Sequence, residues 1–257
     1  MVVEARSSTG LGEFSGRGFV TRKPITRIFV DSALEPGEVL ELPAGEANHV
    51  LKVLRGKNGD FVEAVDGEGR LFVARLCGGR ETAVVEELAA PAGSGVEISL
   101  YQAVPKGGRM DLVVEKATEA GATRIVPLLT ERGVVNPREG KVGRWRRVAE
   151  AAARQSLRLS VPEVAEPVRF EDAVSKVGEA GVLLHNAPDL QPVEVVVQSP
   201  ASLFVGPEGG WSEGELRLAE EAGIGFGGLG PYRLRSETAG MVAVARTLAA
   251  LESRVEH

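Results

Sequence analysis

Short apolar and alternating runs dominate the first third of the chain. RIFV, VLELP, DFVEAVDG, RLFVARLCG and TAVVEEL follow one another between Arg27 and about Glu87, separated by Gly, Asp and Pro residues. Runs of this length and alternation predict β-strands joined by tight turns. A helical spacing occurs only around Glu46–Leu54. We therefore predict a small β-barrel domain over residues 25–92, with PAGSG at Pro91–Gly95 as a linker.

Beyond this linker, strand-like runs alternate with segments of helical spacing. The predicted strands are ISLYQAV, RIVPLL, GVLLH, SLFVG and the Gly-rich GFGGLG. The predicted helices are Gly108–Ala120, Val142–Leu159, Phe170–Glu179, Ser212–Ala222 and Ser236–Leu251. Ser212 and Glu215 have the spacing of a capping box. The alternation predicts an α/β domain over residues 96–257, with a mostly parallel sheet and helices on both faces.

Composition places the chain in an intracellular setting. Cys77 is the single cysteine and the three histidines lack ligand spacing, so we expect neither an internal disulfide nor a bound metal. No stretch reaches the roughly 18 apolar residues of a membrane span, and we expect a cytoplasmic protein. The Gly and Ser content of residues 1–24 predicts a flexible extension. A transit peptide is a weaker alternative, against which Glu4 and Glu13 count.

Charge is distributed unevenly along the chain. The formal net charge is −6, which by itself argues mildly against a nucleic-acid partner. Between Lys106 and Arg158, however, twelve basic residues stand against six acidic ones. A basic segment inside an acidic chain favours an anionic partner. A solvated helical face explains the same segment equally well.

Two glycine-containing loops lie where small molecules bind in open α/β sheets. In FVGPEGGWSEGE, Gly206–Gly210 joins a buried strand to a capped helix, and such loops bring backbone N–H groups close to a ligand. In LGPYRLRSETAG, Arg233 and Arg235 precede a helix that begins at Ser236-Glu237. A plain strand–helix turn and a capped helix with a surface ion pair are the corresponding structural interpretations.

Known nucleotide-binding loops do not account for these segments. No Gly-Lys-Ser/Thr occurs in the chain, which argues against a nucleotide hydrolase. A G-x-G-x-x-G match at Gly223, Gly225 and Gly228 follows a helix, so it lacks the strand–helix context of a dinucleotide site.

Two basic segments complete the candidate chemistry. Lys106 and Arg109 flank two glycines where a strand meets a helix, an arrangement that can hold a phosphate. RWRRVAEAAARQSLR places basic residues at roughly helical spacing and could follow an RNA backbone. We expect Trp145 and Trp211 in the core or an interface. A solvated helix face is the plain interpretation of Glu115, Lys116 and Glu119, and we prefer it for Glu119.

Together these segments resemble one family, the 16S ribosomal RNA uridine-N3 methyltransferases (RsmE family) of the SPOUT superfamily. The matching pieces are RIFV, HVLKVLRGKNGD, KGGRMDLVVEKATEAGATRIVPLLTERG, AARQSLRLSVPEV, LFVGPEGGWSEGE and LGPYRLRSETA. They cover about Arg27 to Leu251. Tyr232 and Ser236 depart from the residues usual in the last motif.

The resemblance implies a fold and an activity. It implies an N-terminal PUA-like RNA-binding barrel, a trefoil-knotted SPOUT domain and a homodimer. It also implies transfer of a methyl group from S-adenosyl-L-methionine to ring N3 of a uridine in 16S rRNA or the small ribosomal subunit. A different target atom and a non-catalytic RNA-binding assembly factor are the alternatives.

The resemblance also directs the choice of site residues. Arg235 is the candidate for contacting uracil oxygens or phosphate, and Glu237 the candidate base or orienting group. The expected cofactor-binding residues are His185, Gly206, Glu208, Gly209, Leu229, Gly230, Leu234 and Thr238. The expected RNA-contacting residues are Arg27, Arg55, Lys106, Arg109 and Arg158.

Overall fold

The computed structural model describes residues 24–77, 82–90, 95–133, 137 and 140–255. Within these ranges the chain forms two sheets, and each sheet packs around its own apolar residues. The expected extension over residues 1–24 and the expected linker at Pro91–Gly95 lie outside the described residues, apart from Pro24 and Gly95.

The N-terminal sheet confirms the β domain expected from the short runs. Its strands are β1 (Arg27–Phe29), β2 (Val39–Glu41), β3 (Phe61–Val65), β4 (Leu71–Cys77) and β5 (Thr82–Ala90). Their spatial order is β1, β3, β4, β5, β2. The β1–β3 pair is parallel and the other pairs are antiparallel. Between β2 and β3, α1 (Ala44–Ala47) continues into a π-helix (Asn48–Val53), where the sequence predicts a helix.

The C-terminal sheet is parallel throughout, as the alternation of strands and helices predicts. Its strands are β6 (Ile98–Ala103), β7 (Arg124–Leu129), β8 (Glu163–Val164), β9 (Val168–Arg169), β10 (Gly181–Leu184), β11 (Ala201–Val205) and β12 (Gly225–Gly227). The order is β12, β10, β11, β6, β7, β8, and β9 also pairs with β7. Strands β8 and β9 are not predicted from the sequence, because two residues are too few to show the alternation of apolar and polar positions that marks a strand.

Helices cover both faces of this sheet. They are α2 (Met110–Glu119), α3 (Lys141–Gln155), α4 (Phe170–Val177), α5 (Val193–Val196), α6 (Glu213–Glu221) and α7 (Ser236–Val255). Leu203 packs with α2, α3 and α7, whereas the next residue, Phe204, packs with α4 and α6. Because successive strand residues point to opposite faces, the two apolar clusters lie on opposite sides of the sheet.

Local signals account for some helix ends and not for others. The predicted capping box is present: the Glu215 N–H donates to Ser212 Oγ, and the Ser212 N–H donates to the Glu215 carboxylate. The predicted end of α3 at Leu159 is wrong, because the helix stops at Gln155. Leu157 has a φ of +58°, a left-handed conformation that cannot continue a right-handed helix.

Arginines from both domains form the contact between the two sheets. The Arg27 guanidinium donates to the carbonyls of Leu157 and Arg158 and pairs with Glu63. Arg154 Nε donates to the Arg27 carbonyl, and Arg154 Nη2 lies 2.6 Å from Glu46 Oε1. These contacts connect β1 and the helical segment of the N-terminal domain to the end of α3.

This junction changes the interpretation of two predicted RNA contacts. Arg27 is 6% exposed and its guanidinium is occupied by protein groups. Arg158 Nη1 donates to the carbonyls of Thr118 and Ala122, and burial lowers the pKa of Arg158. The guanidinium groups of both arginines are therefore engaged by protein groups and stabilise the packing of the fold.

Among the described residues, no helix is long and apolar enough to cross a membrane.

Candidate active site

A cleft of about 590 Å³ opens at the carboxyl ends of β10 and β11. Ligands bind at this edge of parallel sheets because the strand-to-helix loops there converge on one place. Three segments form the walls of the cleft: the end of β10, the loop after β11, and the loop that precedes α7. The lining residues are Leu184, His185, Asn186, Val205, Gly206, Pro207, Glu208, Gly210, Trp211, Leu229, Gly230, Tyr232, Arg233, Leu234, Arg235, Ser236 and Ala239.

The loop after β11 lies against the side chain of Trp211. A Cβ atom on Gly206 would lie 3.0 Å from Trp211 Cε2, so a side chain at this position would displace either the loop or the indole. Trp211 is buried, and its Nε1–H donates to the Leu184 carbonyl at the end of β10. Trp211 therefore fixes the distance between two walls of the cleft, and its predicted burial is confirmed.

The loop before α7 presents two arginines to the cleft. Arg233 and Arg235 are exposed and line it, and Tyr232 is 82% exposed beside them. Within the described ranges the Arg235 guanidinium makes no hydrogen bond or ion pair. Gly230 has a φ of +109°, a conformation that favours glycine and turns the chain before the arginines. This wall therefore offers two positive charges to an anionic group.

Arg109 brings together two carboxylates from these loops. Its guanidinium lies 3.6 Å from Glu208 Oε1 and 3.5 Å from Glu237 Oε1. The backbone N–H of Lys106 also donates to Glu208 at 3.1 Å. Glu237 is 6% exposed, and its Oε2 has no hydrogen-bond partner among the described residues. The loop before α2, the loop after β11 and the start of α7 thus meet at one guanidinium.

Relatives of known class match almost the whole described chain. A family model for an RNA methyltransferase domain matches residues 93–248, and one for an RNA methyltransferase PUA domain matches residues 42–88. The ribosomal RNA small subunit methyltransferase E of Synechocystis sp. is 34% identical over 232 residues, which cover 85% of this chain and 77% of that protein. The chain belongs to this family. The protein of the same name from Aquifex aeolicus is 33% identical over 212 residues, covering 79% of this chain and 91% of that protein.

Two solved structures share the fold of this RsmE-family chain. The Neisseria gonorrhoeae ribosomal RNA small subunit methyltransferase E, solved bound to S-adenosyl methionine, has a TM-score of 0.79 and 31% identity. The match covers 88% of this chain and 98% of that one. Lpg2936 from Legionella pneumophila, solved with its bound cofactor, has a TM-score of 0.76 and 31% identity, covering 89% and 98%. The expected fold, an α/β sheet with a PUA-like domain, is confirmed.

Most of the predicted cofactor-binding residues of this RsmE-family chain line the same cleft. They are His185, Gly206, Glu208, Leu229, Gly230 and Leu234. The other two, Gly209 and Thr238, do not. The Gly209 carbonyl accepts a hydrogen bond from Arg132, and a Cβ atom at Gly209 would contact the Arg132 side chain. Gly209 therefore shapes the loop from its outer side.

The predicted catalytic pair is divided between the cleft and the interior. Arg235 lines the cleft, whereas Glu237 lies behind the lining residues and pairs with Arg109. Arg109, one of the predicted RNA contacts, is held in place by its ion pairs with Glu208 and Glu237. Lys106 is exposed beside it, and Arg55 is exposed in the N-terminal domain.

Acidic partners offset much of the basic segment between Lys106 and Arg158. Arg144 pairs with Asp111, Arg146 with Glu166, Arg124 with Glu163, and Arg154 with Glu46. Lys116 pairs with Glu115 and Glu119, as expected for a solvated face, and these carboxylates raise its pKa. The excess charge in the sequence therefore does not form one continuous positive stripe along α3.

Sequence reasoning missed three residues that hold the loop after β11. Gln102 and Ser236 form buried hydrogen bonds beside Gly206, and Arg132 Nη1 donates to the carbonyls of Gly209 and Trp211. A polar Gln at the end of the apolar run ISLYQAV was the available signal for the first. For Arg132 the sequence offers no signal, since its partners lie about 80 positions away along the chain.

Proposed function

We propose that this chain transfers a methyl group from S-adenosyl-L-methionine to ring N3 of one uridine in 16S rRNA. The observation that carries the proposal is the cleft at the ends of β10 and β11, in a chain that belongs to the RsmE family. Its walls combine apolar side chains, a glycine-containing loop and two exposed arginines. A ligand with an apolar ring and charged ends, next to an anionic acceptor, suits such a lining.

The residues present fit this cofactor. A volume of about 590 Å³ lies within the range of roughly 300–1,000 Å³ that small-molecule sites have. Leu184, Val205 and Leu229 supply apolar surface for an adenine ring. Glu208 and Arg233 supply the opposite charges that the ammonium and carboxylate of an amino-acid group require.

We assign the parts of the cofactor to the walls accordingly. Leu229, Gly230 and Leu234 would hold the adenosine, largely through backbone groups. Gly206 and Glu208 would hold the ribose or methionine part, and His185 would close the β10 side. When bound, the cofactor supplies a methyl group that is already activated. The protein therefore has mainly to orient the acceptor base, a contribution of at most about 7–11 kcal/mol.

Arg235 is our candidate for the acceptor side. Uracil N3 carries a proton and becomes a good nucleophile only when that proton leaves, so donors that stabilise the uracil anion accelerate the reaction. The exposed guanidinium of Arg235 can donate to a uracil oxygen. N3 also lies on the pairing edge, so the target uridine must be unpaired or flipped out of a helix.

For Glu237 we favour an orienting role over that of a base. Its carboxylate is buried, stands behind the cleft lining and pairs with Arg109. If this role is correct, Glu237→Gln slows methylation through a displaced loop and weakens cofactor binding as well. A rate loss with unchanged cofactor affinity would instead support Glu237 as the base.

The assembly and the topology are further parts of the proposal. We propose a homodimer that acts in the cytoplasm on 16S rRNA or the small ribosomal subunit, with a trefoil knot in the C-terminal segments. The start of α7 contacts both the end of β6 and the loop after β11, so the last segment of the chain reaches the middle of the sheet and not only its edge strand β12. Light scattering on the purified protein measures its molecular mass and so tests the proposed homodimer.

One experiment tests the activity and its target. The protein is incubated with labelled S-adenosyl-L-methionine and either small-subunit particles or naked 16S rRNA, and the modified nucleotide is mapped by mass spectrometry. We expect a single N3-methyluridine. A labelled methyl group on another atom would show that the target is not uridine N3. Cofactor binding without transfer of label to either RNA would favour a non-catalytic assembly factor. Arg235→Ala serves as the inactive control.

A further inference from the structure

A buried amide lies behind the cleft, at the end of the central strand β6. Gln102 has no exposed surface, and it pairs in register with Val205 of β11, the residue before Gly206. Burying an amide without hydrogen bonds destabilises a fold by about 1–3 kcal/mol, so the hydrogen bonds of Gln102 are needed to keep it in the core. Gln102 Nε2 donates to the Ala103 carbonyl at 3.1 Å and to Ser236 Oγ at 2.9 Å.

These bonds set the direction of the Ser236 hydroxyl. A carbonyl only accepts, so the contact with Ala103 fixes which end of the Gln102 amide carries the N–H groups. Ser236 Oγ accepts from that amide and donates its own proton to the Gly206 carbonyl at 2.6 Å. The hydrogen bonds therefore run from the Gln102 amide through the Ser236 hydroxyl to the Gly206 carbonyl, that is, from the core of the sheet to the wall of the cleft.

The third element of this arrangement is α7. A Cβ atom on Gly240 would lie 2.3 Å from Gln102 Oε1, so the helix reaches the amide only because residue 240 has no side chain. Gln102 Oε1 itself has no hydrogen-bond partner among the described residues. The Gln102 amide is therefore satisfied at its nitrogen and unsatisfied at its oxygen within the described residues. An apolar side chain of similar size would avoid this penalty.

We propose that Gln102 is a positioning residue for cofactor binding, acting through Ser236 on the Gly206 carbonyl. This inference rests on the proposed function, since it takes the cleft as the site of S-adenosyl-L-methionine. Gln102 does not itself line the cleft but hydrogen-bonds Ser236, which does. It orients the hydroxyl that holds the loop after β11 against the start of α7, and so keeps the two walls at a fixed separation.

The test measures cofactor affinity by calorimetry in the full-length protein. Gln102→Met keeps the size of the side chain and removes the donor. Ser236→Ala removes the hydroxyl. A typical net hydrogen-bond contribution corresponds to a change of about two- to twelvefold, and we expect each variant to weaken S-adenosyl-L-methionine binding by about that factor. In kinetics the KM for the cofactor rises, while the KM for the RNA substrate is unchanged.

Matched variants separate positioning from general stability. Thr247 is buried on α7, the helix that begins at Ser236, and its hydroxyl has no partner among the described residues. Thr247→Val should therefore leave cofactor affinity unchanged. Ser236→Thr retains the hydroxyl and should bind the cofactor more tightly than Ser236→Ala. Because both residues act in one chain of bonds, the double variant Gln102→Met/Ser236→Ala should lose no more than Ser236→Ala alone.

Several results would overturn the inference. If the wild type binds the cofactor and Gln102→Met binds it equally well, Gln102 does not position the wall. Additive losses in the double variant would mean that the two residues act separately. Should Gln102→Met fail to fold, equal affinities for Ser236→Ala and Ser236→Thr would refute the relay by themselves. Absence of cofactor binding in the wild type would instead refute the proposed function.

Discussion

Arg154 joins the two domains through a buried ion pair whose loss should be measurable. Its Nη2 lies 2.6 Å from Glu46 Oε1, and its Nε donates to the Arg27 carbonyl at 2.9 Å. The side chains of Arg154 and Glu46 are 17% and 5% exposed. Arg154→Met retains an aliphatic chain in the same space but leaves the Glu46 carboxylate buried without its cation.

The size of the effect follows from burial. Removing one partner of a buried ion pair costs about 3–5 kcal/mol, because the remaining charge stays desolvated. Since Arg154 retains some exposure, water partly replaces the guanidinium, and we expect the lower end, about 3 kcal/mol. With a slope of about 2–3 kcal/mol per M urea, the midpoint of the unfolding transition should fall by roughly 1–1.5 M.

Arg146 provides the control, because it makes the same kinds of contact on the same helix. Its Nε donates to the Val164 carbonyl at 3.0 Å, and its Nη2 lies 3.1 Å from Glu166 Oε1. These side chains are 54% and 71% exposed, and exposed pairs contribute about 0–1 kcal/mol. Urea unfolding of Arg146→Met should therefore differ little from the wild type. Equal losses for Arg154→Met and Arg146→Met would refute the argument from burial.

Three further predictions concern the cleft and the N-terminal domain. Arg235→Ala should lower kcat at least about 100-fold with unchanged cofactor affinity, as loss of a donor to a developing charge does in other enzymes; near-normal turnover in a methylation assay would remove its assigned role. Calorimetry should show that Gly206→Ala weakens cofactor binding more than Gly209→Ala does. The reason is that a Cβ atom at Gly206 meets the Trp211 ring, whereas Gly209 does not line the cleft. The reverse order would contradict the placement of the cofactor. For Asp66, burial alone would raise the pKa, but bonds from Arg70 and three backbone N–H groups lower it below the ordinary value of 3.8. A carboxyl with a depressed pKa stabilises the fold above its unfolded-state pKa, and this contribution is lost as the pH falls through its folded-state pKa. Asp66→Asn should therefore unfold more easily than the wild type at pH 7, and the difference should shrink as the pH falls below 3.8. A difference that stays the same over this pH range would disprove this linkage.

Local patterns in the sequence were sufficient for the elements and for the loops of the site. The five short N-terminal runs became five strands, and the capping box at Ser212 and Glu215 formed as expected. The placement of Gly206 and Arg235 in one cleft also followed, because both loops leave the carboxyl edge of a parallel sheet. In each case the deciding interaction joins residues close in sequence, or follows from the direction of the strands.

Tertiary structure alone decided which side chains meet. Arg27 and Arg158 are predicted RNA contacts, yet both guanidinium groups bind backbone carbonyls of elements far apart in the chain. Arg27 does so across the junction between the domains, and Arg158 does so within the C-terminal domain. Gln102 and Ser236 are 134 positions apart, and their hydrogen bond exists only because Gly240 lets α7 approach β6 closely. Periodicity reports which face of an element is buried, but a polar contact depends on which other element covers that face, and that is determined by the fold.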